Sequence, residues 1–251
     1  MSDIKILGID QSISSTGFTL LEVDENFNIK DWKFLGFSST KKRLISTNHY
    51  MTIKKPDNYE NHPYFYKGPM IFEYIYKEYS DYINFVSGVD YFSVEDYAYG
   101  AEGNIFDIAE FCGGLENSFY VCGKSFKRYP PRSIKLFATG NGDADKFSMG
   151  VQFMKTDIYK ETKEGFGDCF ESGFTHPYED IIGSFWMANC FRCELAYRTN
   201  KKFPDQMYTS IENAEISILK SKNNKSLSTI NHSINEFEKY KKPNKKDKYV
   251  E

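Results

Sequence analysis

Three carboxylates in this chain stand at the ends of apolar runs, two where a run stops and one where a run starts. Asp10 ends the run over residues 4–9, Glu95 ends the run over 90–94, and Asp180, preceded by Glu179, stands directly before the apolar stretch 181–188. A carboxylate held against a hydrophobic sheet is costly to ionise unless a cation neutralises it. Oxygen ligands of this kind suit magnesium or manganese, and two such ions can activate water and stabilise the leaving oxygen of a phosphodiester. Each acid also has a plainer use: Asp10 as the cap of its own turn, Glu95 and Asp96 as strand-end charge, Glu179 and Asp180 as complements to a helix dipole.

The elements that must position these acids are legible in outline. The run ending at Asp10 is followed by Gln11-Ser12 and returns as a second apolar run at 17–21, which predicts a hairpin with Asp10 at its mouth. Residues 29–38 alternate well enough to add a third strand, giving an antiparallel meander. The stretch at about 41–68 is polar, aromatic-rich and broken by Pro56, Pro63 and Gly68, and is expected to be a surface insertion. Apolar residues at helical spacing predict a helix from Pro69 to about 86, closed by Gly88. The strand that carries Glu95 comes next, then a helix over about 104–120 with a small-residue patch at Cys112-Gly113-Gly114, and a strand at 125–129 stopped by Pro130-Pro131. Two short helices are expected between 132 and 155, around the turn Gly140-Asn141-Gly142-Asp143. A Gly- and acid-rich loop at 164–173 leads to Pro177, which starts a final helix reaching about 198. The sum is an α/β protein with a mixed five-stranded sheet flanked by helices, its domain covering 1–215 and a basic tail covering 216–251.

Composition narrows the setting. With 251 residues, 40% of them hydrophobic, the chain can bury one substantial core. No apolar run approaches the roughly 20 residues that span a bilayer, and Met1-Ser2-Asp3 does not open a secretion signal, so an intracellular, soluble protein without a membrane partner is expected. Five cysteines, at 112, 122, 169, 190 and 193, contain one CxxC and no second pair to complete a zinc site, which points to reduced thiols. Residues 220–251 hold nine lysines and four acids, a charge of +5, so the preceding 219 residues carry −8 of the total −3. An acidic body with a basic tail suits a carboxylate-lined site beside a polyanion-binding arm, or equally a solubilising end.

Taken together the motifs resemble the RuvC-type Holliday-junction resolvases of the RNase H-like superfamily. Leu7-Gly8-Ile9-Asp10-Gln11-Ser12 with Thr16-Gly17-Phe18 is similar to the family's opening strand, aspartate and Thr-Gly-aromatic, and 90–95 to its second acidic strand. Pro131-Arg132-Ser133-Ile134-Lys135, followed by Thr139-Gly140-Asn141-Gly142-Asp143-Ala144-Asp145-Lys146, resembles its basic helix and Gly-x-Gly-x-Ala-acid-Lys turn. The resemblance implies an RNase H-like fold and a crossover junction endodeoxyribonuclease that nicks branched DNA in recombination or repair. It implies two Mg2+ ions, replaceable by Mn2+, on Asp10, Glu95 and Asp180, with Glu179 or His176 as a supplementary ligand. Lys146 would assist catalysis, Lys135, Lys146 and Arg132 would meet DNA phosphates, and Tyr97 and Tyr99 would stack at the opened junction. A homodimer would form through the helix at 104–120 and its glycine patch.

The last motif departs from the family's pattern of two metal-site positions three residues apart. Starting from Asp180 puts Gly183 at the second position, starting from His176 puts Glu179 there, and a third register pairs Pro177 with Asp180. Flap, fork or broader branched-DNA cleavage, as would serve genome processing in a virus, stays open. So does a non-catalytic junction-binding protein. An actin- or sugar-kinase-like phosphotransferase shares the Gly-Ile-Asp strand but needs a second Asp-Gly phosphate loop and two comparable domains, and neither is present.

Overall fold

Alternation along the central strands decides which face of the sheet the carboxylates occupy. In β1 (Ile4–Asp10), Leu7 and Ile9 enter one hydrophobic cluster, while Ile6 enters the other, on the side of Gly8 and Asp10. In β5 (Tyr91–Glu95), Phe92 and Val94 join the Leu7 and Ile9 cluster, which leaves Ser93 and Glu95 on the face of Asp10. The computed structural model describes residues 3–38, 46–84, 88–96, 105–124, 126–166 and 176–219.

The mixed α/β sheet expected from the sequence is present, with six strands instead of five, in the order β4-β3-β2-β1-β5-β6. β1, β2 (Gly17–Val23) and β3 (Ile29–Ser38) form the antiparallel meander, while β5 and β6 (Phe126–Tyr129) run parallel to β1. The additional strand, β4 (Tyr50–Lys54), lies inside the segment read as a surface insertion and pairs parallel to β3. Five residues between polar stretches carry too little periodicity to announce a strand. Burial of Tyr50 against Phe166 and Tyr178 holds it at the sheet edge.

Helices α1 (Tyr64–Glu78) and α2 (Ile105–Val121) cover the face of Leu7 and Ile9. α1 begins before Pro69, where the sequence suggested a start. Pro69 removes the amide that the Phe65 carbonyl would accept from, and that carbonyl faces α2 at Gly114 instead. A Cβ on Gly114 would lie 2.5 Å from Phe65 O, and one on Gly68 2.4 Å from Phe111 O. The glycine patch expected to receive a second copy is therefore filled by α1 of the same chain.

The opposite face carries α3 (Pro131–Thr139), α4 (Lys146–Phe153), α5 (Asp157–Phe166) and α6 (Tyr178–Asn200). α5 has no counterpart in the sequence reading. Its start is held by Thr156, whose Oγ1 accepts from the Tyr159 amide at 3.1 Å. α6 is buried continuously over 180–196, because the sheet lies on one side and α3 and α4 on the other. A short α7 (Ile211–Ala214) runs into a π-helical turn at Glu215–Leu219 that packs on α3. Cys112, Cys122, Cys190 and Cys193 are free thiols, and Cys169 lies outside the described residues. Residues 220–251 of the expected tail also lie outside them. Among the described residues, no helix is long and apolar enough to cross a membrane.

Candidate metal centre

Glycines on three neighbouring strands let α6 settle directly on the sheet. A Cβ on Gly8 would lie 2.1 Å from Ser184 O, one on Gly17 2.2 Å from Asp180 O, and one on Gly36 2.8 Å from Ile181 Cδ1. Gly17 is register partner to both Asp10 and Gly36, so the groove crosses the sheet beside Asp10. Thr19 and Ser184 hydroxyls hydrogen-bond at 2.7 Å inside it. This close approach places the first turn of α6 over the end of β1. Glycine within a strand is the sequence signal for such an approach, and only the structure tells what approaches.

The acids then converge. Asp10 and Glu95 end adjacent parallel strands, and the pair before them, Ile9 and Val94, is in register. With Lys135, Lys146, Glu179 and Gly183 they line a cavity of about 40 Å³. Asp180 lies just beneath, fully buried. Gly183 is what admits the Asp10 carboxylate, since a Cβ there would stand 2.0 Å from Oδ2. The glycine that stands three residues after Asp180 is thus the residue whose bare α-carbon leaves room for Asp10.

Basic groups face this cluster. Gly140, at φ 81°, closes α3 in the left-handed region, and Asp145 caps α4 by accepting from the Ser148 amide at 2.7 Å. Lys146 is consequently the first residue of α4. Its Nζ lies 3.3 Å from Asp180 Oδ1 and 3.9 Å from both Asp10 Oδ2 and Glu179 Oε2. His176 Nδ1 is 2.7 Å from Asp180 Oδ2 and 2.9 Å from Glu179 Oε1.

Burial pushes the Asp10 carboxyl well above the usual carboxylate range, Lys146 opposing and Glu95, Asp180 and Glu179 reinforcing the shift. Glu95 is raised too, by burial first, against the pull of Lys146 and Lys135. Burial works against the Lys146 ammonium, but Asp10, Asp180 and Glu179 outweigh it and raise its pKa. The hydrogen bond to Asp180 raises His176. Acids crowded in a dry site call for positive charge, and their oxygens with one imidazole fit a hard divalent ion such as Mg2+ or Mn2+. His176, Glu179 and Asp180 alone offer three donor atoms within 4.8 Å of one another.

Of the residues expected at the site, Asp10, Glu95, Glu179, Asp180, Lys135 and Lys146 are brought together, with His176 beside them. Arg132 is not: it is exposed and pairs with Asp143 at 3.3 Å, in the turn between α3 and α4. Tyr97 and Tyr99 lie outside the described residues. The positioning roles of Gly8, Gly36 and Gly183 escaped the sequence reading.

No protein-family model and no curated protein matches the chain. Among solved structures, it is similar to Thermus thermophilus RuvC at 13% identity and a TM-score of 0.45, covering 80% of this chain and 99% of that one. It is likewise similar to T. thermophilus RuvC in complex with Holliday junction substrate, at 14% identity and a TM-score of 0.47, with the same coverage of both chains.

Proposed function

We infer that this chain is a metal-dependent endonuclease that nicks branched DNA, with four-way junctions as its foremost substrate. The observation that carries the proposal is the meeting of Asp10, Glu95, Glu179 and Asp180, from three distant segments, under the ammonium of Lys146. Asp10, Glu95 and Asp180, with Glu179, are the residues that would hold the ions. Bound Mg2+ or Mn2+ supplies Lewis-acid activation of water and stabilisation of the leaving oxygen.

The chain's own groups supply the rest. Lys135 lines the cavity and presents a cation to a backbone phosphate at its mouth. His176, hydrogen-bonded to Asp180, keeps a proton at Nδ1 within reach of the acids. α6 holds Asp180 away from bulk water, which strengthens every charge interaction around it. A homodimer would set two such sites on a two-fold junction. With the Gly114 face covered, α2 still offers exposed Phe106, Ile108, Tyr120 and Val121 to a second copy.

The test is cleavage of a synthetic four-way junction in Mg2+ or Mn2+, with flap and fork substrates alongside and D10N and E95Q as controls. Metal-dependent nicking of the junction that both controls abolish is the expected result. Tight junction binding without nicking under either metal would instead make this a junction-binding protein.

A further inference from the structure

Lys146 occupies a position that a metal ion would also favour. Its ammonium is shared among three carboxylates, and only Asp180 Oδ1, at 3.3 Å, is within hydrogen-bond reach. Asp10 and Asp180 are nearly closed to solvent, with side-chain exposures of 9% and 1%, and Glu179 is 21% exposed, whereas 47% of the Lys146 side chain is open. Asp10, Glu179 and Asp180 would repel one another in this poorly hydrated site if nothing neutralised them. The lysine backbone is anchored where Asp145 caps α4, but its four-carbon stem can swing outward.

Building on the metal-centre assignment above, we propose that Lys146 is a tethered counter-ion. It neutralises the carboxylates while no metal is bound, is displaced by the incoming divalent ion, and is thereby released toward substrate phosphate. The protein then needs no metal to keep its acidic centre assembled. An ammonium and a divalent cation a few ångströms apart repel strongly in a desolvated site, so both do not share the acids. Metal occupancy and the outward position of the lysine become two sides of one equilibrium, each favouring the other. A lysine whose role were phosphate contact alone would not change metal affinity in the absence of DNA.

The experiment is Mn2+ titration without DNA, by calorimetry and by the electron paramagnetic resonance signal of free Mn2+, on wild type, K146Q, K146R and D10N. K146Q should bind Mn2+ about tenfold more tightly than wild type or better, and its metal-free Tm should be lower. K146R, which keeps the charge, should match wild type in both. K146M substitutes for K146Q should the latter lose its fold without metal. If wild type binds Mn2+ and the neutral variants bind it no more tightly, or if K146R tightens as much as K146Q, the counter-ion role is wrong and the metal centre stands. If neither wild type nor K146Q binds Mn2+, and D10N is indistinguishable from them, the metal centre falls as well.

Discussion

Replacing Gly183 by Ala isolates the geometry of the centre from its chemistry. The added methyl would stand 2.0 Å from Asp10 Oδ2 and 2.9 Å from its Cγ. Side-chain carbons are not found within 3.0 Å of such an atom, so the carboxylate or the helix must give by at least about 1.0 Å. Two stability terms oppose each other. Alanine is preferred over glycine inside a helix by up to about 1 kcal/mol, and overpacking costs about 1–3 kcal/mol. The net loss should stay near 2 kcal/mol or below, and G183A should fold. Function should fall much further, because a displacement of about 1 Å in a reacting constellation can cost about 10²-fold. Thermal melts, Mn2+ titration and single-turnover junction cleavage on the same preparation separate the two effects. G183A with wild-type metal affinity and wild-type cleavage would refute the claim that the bare α-carbon at 183 positions Asp10.

Four further outcomes follow from the same contacts. In G8A the new Cβ would meet backbone atoms, Ser184 O at 2.1 Å and Ala188 N at 2.7 Å, that cannot rotate aside; a loss of about 3 kcal/mol or a failure to fold is expected in urea denaturation. D10N should abolish Mn2+ binding yet raise the metal-free Tm at pH 7. Because burial raises the Asp10 pKa in the fold, this group contributes stability below its unfolded value that is lost as pH rises through the folded one; D10N removes that loss, and a lower Tm at pH 7 would contradict it. His176 is also raised, through Asp180, so its contribution is complete below the ordinary histidine range and is lost as pH rises through the folded pKa; metal-free H176Q should show a flatter Tm profile above pH 6.5 than wild type. Arg192 is fully buried, donating to Phe27 O at 2.6 Å, Gln206 O at 2.8 Å and Asn189 Oδ1 at 2.7 Å. R192A should cost about 3 kcal/mol or more by leaving those acceptors unpaired, with Mn2+ affinity unchanged at temperatures where the variant is folded.

The acids that the structure brings together were conspicuous in the sequence because they sit at places that local chemistry marks. Asp10 and Glu95 interrupt apolar runs, and a charge at the end of a buried strand is conspicuous in one dimension. The turn at 140–143 announced a helix after it, expected from Ala144, whereas the structure starts α4 at Lys146 behind the cap Asp145; Lys146 itself was singled out by the resemblance of its turn. β4 and α5 were not legible, since β4 is held by Tyr50 packing on Phe166 and Tyr178, and the end of α5 by Phe166 packing on Tyr50 and Tyr178, more than by their own patterns. The role of the glycine patch at 113–114 was equally invisible, because a small-residue surface does not say whether its partner is the same chain or another.

What the sequence determined by itself is the set of charged groups and the strand and helix ends that carry them. What only the tertiary structure decided is their distances. Gly8, Gly17 and Gly36 are far apart in the chain, and they act only when the sheet lines them up under α6. That alignment brings Asp180 over Asp10, turns Gly183 from a gap in a motif into the space a carboxylate needs, and sets Lys146 among acids it follows by 136 residues and precedes by 34. Electrostatic coupling depends on separation and burial, and neither is a property of order along a chain.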